Sequence, residues 1–209
     1  AIAAAMSRSK REIPHYYLSA TFSVEPALAW LEAENARRPL PERILPAVLL
    51  LKATALALRA APELNGTYAG DGFRHSDDIH LGVAVFLRSG GLVAPALRNA
   101  DRSDLSALMH ELRDLVARAR SGGLRASELS APTMTVTSLG EQGVEVVLPV
   151  IIPPQVAIVG FGSIVERPWV EAGTVVARRV VTASLAADHR ASDGHRGALF
   201  LQAIGRLLQ

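Results

Sequence analysis

The sequence predicts an α/β fold, a two-layer sandwich of helices on a mixed β-sheet. Three observations point to it. Residues 15–24 (HYYLSATFSV) alternate, with Tyr16, Leu18, Ala20, Phe22 and Val24 set against His15, Tyr17, Ser19, Thr21 and Ser23, the period of a half-covered strand. Residues 79–87 (IHLGVAVFL) are apolar in both phases, as in a central strand covered on both sides. Residues 103–123 (SDLSALMHELRDLVARARSGG) place Leu105, Leu108, Leu112, Leu115 and Val116 at helical spacing.

In chain order, residues 2–11 suit a short helix, and Pro14 hands over to the strand at 15–24. Pro26 opens a helix over ALAWLEAENARR, which Pro39 and Pro41 end. Residues 43–61 form a long apolar helix, and NGTYAGDG after it has the turn chemistry of a small hairpin. The strand at 79–87 turns at SGG (89–91) into LVAPAL. The next helix has Ser103 as its candidate cap and stops at Gly122 and Gly123. Strands are expected at 133–138, 144–150, 156–161 and 174–187, before a last helix over GALFLQAIGRLL. No repeat or linker divides the chain, so residues 1–209 read as one domain.

Composition narrows the function classes. Without cysteine there is no disulfide, thiolate metal site or cysteine nucleophile. A formal charge of +2, with arginines scattered among acids, does not make a nucleic-acid footprint. The apolar run at 44–61 is cut by Pro46 and Lys52, so it reads as a buried helix and not a membrane span. A cytoplasmic location is the expectation.

The stretch DHRASDGH (188–195) joins the last strand to the last helix. Ser192 or Asp193 would cap that helix. His189, with an ordinary pKa of about 6.5, is also suited to act as a base near neutral pH. A thiol is the proton donor it handles most easily, and with no cysteine present the thiol would arrive on a substrate.

HRASDG fits the H-x-x-x-D-G motif of the dihydrolipoamide acyltransferases, the E2 catalytic cores of 2-oxo acid dehydrogenase complexes, and of their relative chloramphenicol acetyltransferase. SRSKREIPHYYL, IHLGVAV with GLVAPALRNAD, TMTVTSLG and PPQVAIVGFGSI resemble further segments of the E2 family, so the likeness spans the chain. Asp188 gives the D-H-R form of E2 cores, where chloramphenicol acetyltransferases and peptide-synthetase condensation domains carry a second histidine.

The resemblance implies a chloramphenicol acetyltransferase-like fold, trimeric, that transfers acyl groups between coenzyme A and dihydrolipoamide without an acyl-enzyme. His189 would be the base, and Thr137, 52 positions earlier, the hydroxyl facing the oxyanion. Ser138 replaces it if the strand register is shifted by one. Asp193 would support the histidine, with His189 and Asp193 from one subunit and Thr137 from the next. No coenzyme A-binding residue is assigned, and the family's basic residues are missing from AIAAAM.

The lipoyl group, and the E1 and E3 partners, would belong to lipoyl and peripheral-subunit-binding domains not found in these residues. The chain therefore reads as a catalytic fragment or as a form lacking the arm, and with its last helix ending at Gln209 a cage is less expected than a trimer. IIPPQVAIVGFGSI leans towards branched-chain acyl groups over acetyl. The competing functions are a stand-alone O-acetyltransferase and a non-catalytic trimeric scaffold.

Of the remaining histidines, His15 reads as a half-buried strand residue, and His75, His80 and His110 lack metal-site spacing. His195 is expected in the first turn of the last helix. The glycines at 70–72 and 89–91 are turn residues without the context of a phosphate loop.

Overall fold

A computed structural model describes residues 2–87 and 90–209; Ser89 of the expected SGG turn lies outside them. The chain opens with α1 (Ile2–Glu12), β1 (His15–Ser23), α2 (Glu25–Ala36) and α3 (Pro46–Leu58). A hairpin of β2 (Gly66–Ala69) and β3 (Gly72–His75) follows, as its turn residues predict. The strand expected at 79–87 divides at Ala84 into β4 (Leu81–Val83) and β5 (Val85–Phe86). Of the two, β4 stays in the main sheet, whereas β5 leaves to pair with β6 (Leu92–Val93), which exposes Phe86. Chain connection won over periodicity there.

Beyond β7 (Ala96–Leu97) lies α4 (Leu105–Ser121), capped by Asp104 rather than Ser103. The Asp104 carboxylate accepts from the Ala107 amide at 2.8 Å, and Gly122 closes the helix in a left-handed conformation, φ 78°. The short α5 (Ala126–Ser130), not anticipated, precedes β8 (Met134–Ser138) and β9 (Ala157–Phe161). Residues 144–150 form no ladder within the chain; they run as an extended cover over the sheet. Gly160 and Gly162 permit that approach, since a Cβ would come within 2.9 Å of Val147 Cβ at the first and 1.9 Å of the Glu145 carbonyl at the second. The sequence reading also missed β10 (Val165–Glu171), which pairs with the start of β11 (Thr174–Asp188). α6 (Gly194–Leu207) ends the described elements.

The main sheet runs β1-β11-β9-β8-β4-β7, with β10 against β11. It is mixed: β8 is parallel to β4 and β9, and the other pairs are antiparallel. Val181, Ala183, Leu185 and Ala187 of β11 point into the main core with Val48, Leu58, Leu108, Phe200 and Ile204 of α3, α4 and α6. The opposite face holds Ile158 and Ala186 in a small cluster with Ile13 and Ile151, and carries Ser19, Thr21, Thr182, Ser184 and Thr137 as a polar strip. No described helix is long and apolar enough to cross a membrane.

Candidate active site

The junction after β11 is built on a buried charge. Asp188 is fully buried, and its carboxylate accepts from the Arg190 backbone amide at 2.9 Å, from Arg190 Nε at 2.9 and 3.2 Å, and from Nη2 at 2.7 Å. The guanidinium then lies 3.9 Å from the centre of the Tyr68 ring. A carboxylate so buried persists only when paired and hydrogen-bonded, which Arg190 achieves within two residues.

Between these two, His189 donates its backbone amide to the Pro14 carbonyl at 3.0 Å and presents an exposed side chain. Its ring meets Tyr16 edge-to-face, with centroids 5.3 Å apart and planes at 71°. The Tyr16 hydroxyl shares a hydrogen bond with Ser192 Oγ at 2.8 Å, and burial pushes that phenol's pKa up.

Asp193 caps α6, its Oδ1 accepting from the Arg196 amide at 3.0 Å. That bond is the main reason its pKa lies below the usual aspartate value; the nearby His195 and His189 add to it. Of the two cap candidates Asp193 is therefore the one used, and Ser192 serves Tyr16 instead.

Thr137 lies elsewhere in the monomer. It stands opposite Gly160 on β9, and Gly160 stands opposite Ser184 on β11. His189 is further along β11, so at about 3.3 Å per residue and about 4.8 Å between strands the two residues of one chain are roughly 19 Å apart. They also use opposite faces, because His189 meets Tyr16 on the helix-covered side while Thr137 projects beside the polar strip. Ser138, the alternative, faces away from Thr137 and holds the Gly140 amide at 3.3 Å.

Other histidines are occupied locally. His15 Nδ1 lies 2.9 Å from the Ile13 carbonyl and Nε2 accepts from the Ile151 amide at 3.2 Å, which together select the neutral ring; burial lowers its pKa. His80 Nδ1 accepts from the Asn99 amide, and His75 lies 3.3 Å from Asp77. His195 is exposed at the start of α6, as expected. Among the described residues no group of three or more His, Asp and Glu side chains could hold a metal.

A cleft of about 600 Å³ opens beside the junction, lined by Arg8, Glu12, Tyr68, Pro154, Gln155 and Arg190. An apolar cleft of about 410 Å³, with Trp30, Leu49, Leu56 and Leu207, lies at the far end of α6, about 20 Å away along the 14-residue helix. Sequence reasoning missed Tyr16 because it occupies the apolar phase of β1 and reads as core. It missed the Arg190–Tyr68 stack because the two are distant in sequence.

The model of the 2-oxoacid dehydrogenases acyltransferase (catalytic domain) family matches residues 1–209. The chain is 36% identical over 210 residues to the dihydrolipoyllysine-residue acetyltransferase component of the pyruvate dehydrogenase complex of Zymomonas mobilis, covering all of this chain and 47% of that one. It is 38% identical over 213 residues to the lipoamide acyltransferase component of the branched-chain alpha-keto acid dehydrogenase complex of Pseudomonas aeruginosa, again covering all of this chain and 49% of that one. It thus spans about half the length of these relatives.

Azotobacter vinelandii dihydrolipoamide acetyltransferase superposes with a TM-score of 0.90 at 29% identity, over 99% of this chain and 86% of that one; a serine, a histidine and an asparagine have been investigated in its catalytic mechanism. A chloramphenicol acetyltransferase shares the fold, at a TM-score of 0.59 and 14% identity. With the mixed sheet, the H-x-x-x-D-G junction and a family match along its whole length, the chain belongs to the 2-oxoacid dehydrogenase acyltransferase catalytic-domain family.

Proposed function

We propose that this chain is the catalytic part of an E2 acyltransferase, moving an acyl group between dihydrolipoamide and coenzyme A with His189 as general base. The observation that carries this reading is His189 itself, an exposed imidazole on a backbone pinned by Pro14 before it and by the pairing of buried Asp188 with Arg190 beside it. Support comes from the Azotobacter enzyme, whose serine, histidine and asparagine are spaced as Thr137, His189 and Asp193 are here.

In the proposed reaction, the neutral imidazole takes the proton of the coenzyme A thiol. The thiolate attacks the carbonyl carbon of acyl-dihydrolipoamide, and the Thr137 hydroxyl donates to the oxyanion. Collapse expels the dihydrolipoamide thiolate, which recovers the proton from the imidazolium. No acyl-enzyme forms, and the protein's share is base catalysis, oxyanion stabilisation and alignment. Asp193 acts through the loop: by capping α6 it holds the turn that carries His189.

The gap of roughly 19 Å between Thr137 and His189 in one chain supports a site shared between subunits of a trimer. Ser19 and Thr21 at the exposed edge of the strip that bears Thr137, with Val146 and Leu148 exposed on the segment covering the rest of it, offer the face for a neighbour. The lipoyl group, carried on a separate domain, and the E1 and E3 components are the partners proposed, in the cytoplasm. Resemblance of residues 151–164 to branched-chain sequences supports branched-chain acyl groups over acetyl.

The test is transfer from acetyl-, isobutyryl-, isovaleryl- and succinyl-CoA to dihydrolipoamide by the wild type and His189→Ala. Activity lowered by about 10²-fold or more is expected for the variant. Unchanged transfer would leave the scaffold reading, and transfer only to small alcohols the O-acetyltransferase reading.

A further inference from the structure

We propose that Tyr16 is a positioning residue for His189, forming with Ser192 a bracket that sets the plane of the imidazole. The proposal rests on His189 being the base, and it answers a question which that reading leaves open. Among the described residues no hydrogen bond from within the chain fixes either ring nitrogen of His189, and the expected support, Asp193, turns Oδ1 to the Arg196 amide and reaches His189 only through its charge. An exposed imidazole free to turn about two bonds would spend much of its time unable to receive a thiol proton.

The contact that does restrain the ring is the edge-to-face packing on Tyr16, 5.3 Å between centroids at 71°. Tyr16 is itself fixed three ways. Its backbone is paired with Ala187 in the β1–β11 ladder, two residues before His189. Its ring packs against the main core in a notch over Gly197 of α6, where a Cβ would stand 3.0 Å from Tyr16 Cε2. Its hydroxyl is held by Ser192 Oγ at 2.8 Å, in the loop that carries His189. The half-buried phenol has its pKa raised by burial and stays protonated in the working range of a histidine base, so this hydrogen bond persists there. β1, the loop and α6 thus converge on one aromatic ring, and that ring meets the imidazole.

Steady-state transfer between acyl-CoA and dihydrolipoamide, with its pH profile, tests this in Tyr16→Phe, Ser192→Ala, the double variant and Tyr16→Leu. Tyr16→Phe and Ser192→Ala are each expected to lower kcat by about threefold to tenfold, with KM for both substrates within about twofold of wild type. The double variant should be no worse than either single change, because both remove the same hydrogen bond. Tyr16→Leu removes the ring face and should lower kcat by about 30-fold or more, while the His189 ring proton resonances move towards their unstructured positions.

A merely structural tyrosine would instead lower the unfolding midpoint and leave kcat, KM and the His189 resonances of the folded fraction alone, which would overturn the proposal. If Tyr16→Leu does not fold, the two conservative variants decide: kcat unchanged in both overturns it. His189→Ala measured alongside separates the two claims, since transfer surviving in that variant removes the base and the bracket with it. Transfer lost in His189→Ala but undiminished in every Tyr16 and Ser192 variant removes the bracket alone.

Discussion

Asp188 shows how far a single residue can be understood from its surroundings. Its carboxylate has no solvent contact and is neutralised entirely by Arg190. Removing the arginine strands the buried Asp188 charge, and because the guanidinium is itself 35% exposed, Arg190→Ala should cost about 3 kcal/mol in denaturant unfolding, the low end for a buried pair and still more than a surface ion pair. With His189 as the proposed base between the two, acyl transfer should fall as well.

His15 makes a pH prediction. Its folded pKa is depressed, mainly by burial, and its ring is held neutral between Ile13 and Ile151. Its contribution to stability is present above the ordinary histidine value of about 6.5 and is lost as pH falls through the lower folded value. A His15→Gln variant should therefore lack the part of the stability loss that the wild type shows below about pH 6.5 in thermal melts. The motif residues at 188–193 were legible because their order and spacing carry the signal. Tyr16 was not, since an apolar-phase tyrosine looks like core until the tertiary contact with His189 is seen.

Among the elements, α2 is bound to β11 by charge. Arg179 donates to Glu25 through Nε and Nη2, and these bonds, with its backbone amide, hold the Glu25 pKa down to about 2; the same guanidinium also reaches Glu32. A depressed carboxylate stabilises the fold above its unfolded value of about 4.5, and the benefit is lost as pH falls towards 2. The stability gap between wild type and Glu25→Gln, followed by circular dichroism, should thus be full above pH 5 and close between about pH 4 and 2.

The elements that sequence reasoning misjudged share one cause. Residues 144–150 have the composition of a strand yet form no ladder, because Gly160 and Gly162 let them lie across the sheet face. In β10, Pro168 and the charged Glu166, Arg167 and Glu171 obscured a strand that pairs only with the projecting start of β11. Ladder partners are chosen by position in the sheet, which local pattern does not encode.

At the scale of the molecule, the chain holds His189 and Thr137 roughly 19 Å apart and on opposite faces of the sheet. If trimers share the site as proposed, His189→Ala and Thr137→Ala chains alone should each keep no more than about a hundredth of wild-type activity, yet mixing them in equal parts during assembly should restore about a quarter of it, because some interfaces then pair an intact His189 with an intact Thr137. No recovery in mixed trimers of proven composition would remove the shared site. Thr137→Ala by itself should lower kcat by about 10²-fold, the cost of one oxyanion donor, and Thr137→Ser should recover most of it.

The α/β class, most of the helix-forming and strand-forming segments and the motif spacing of the DHRASDG junction were legible in the sequence alone, since periodicity and motif spacing are local properties of the chain. Only the tertiary structure decided which face Thr137 occupies, that Asp193 and not Ser192 caps the last helix, and that Tyr16 meets the imidazole. Those facts depend on strand order and register across β1, β11, β9 and β8, which bring distant segments together and leave no trace in any one of them.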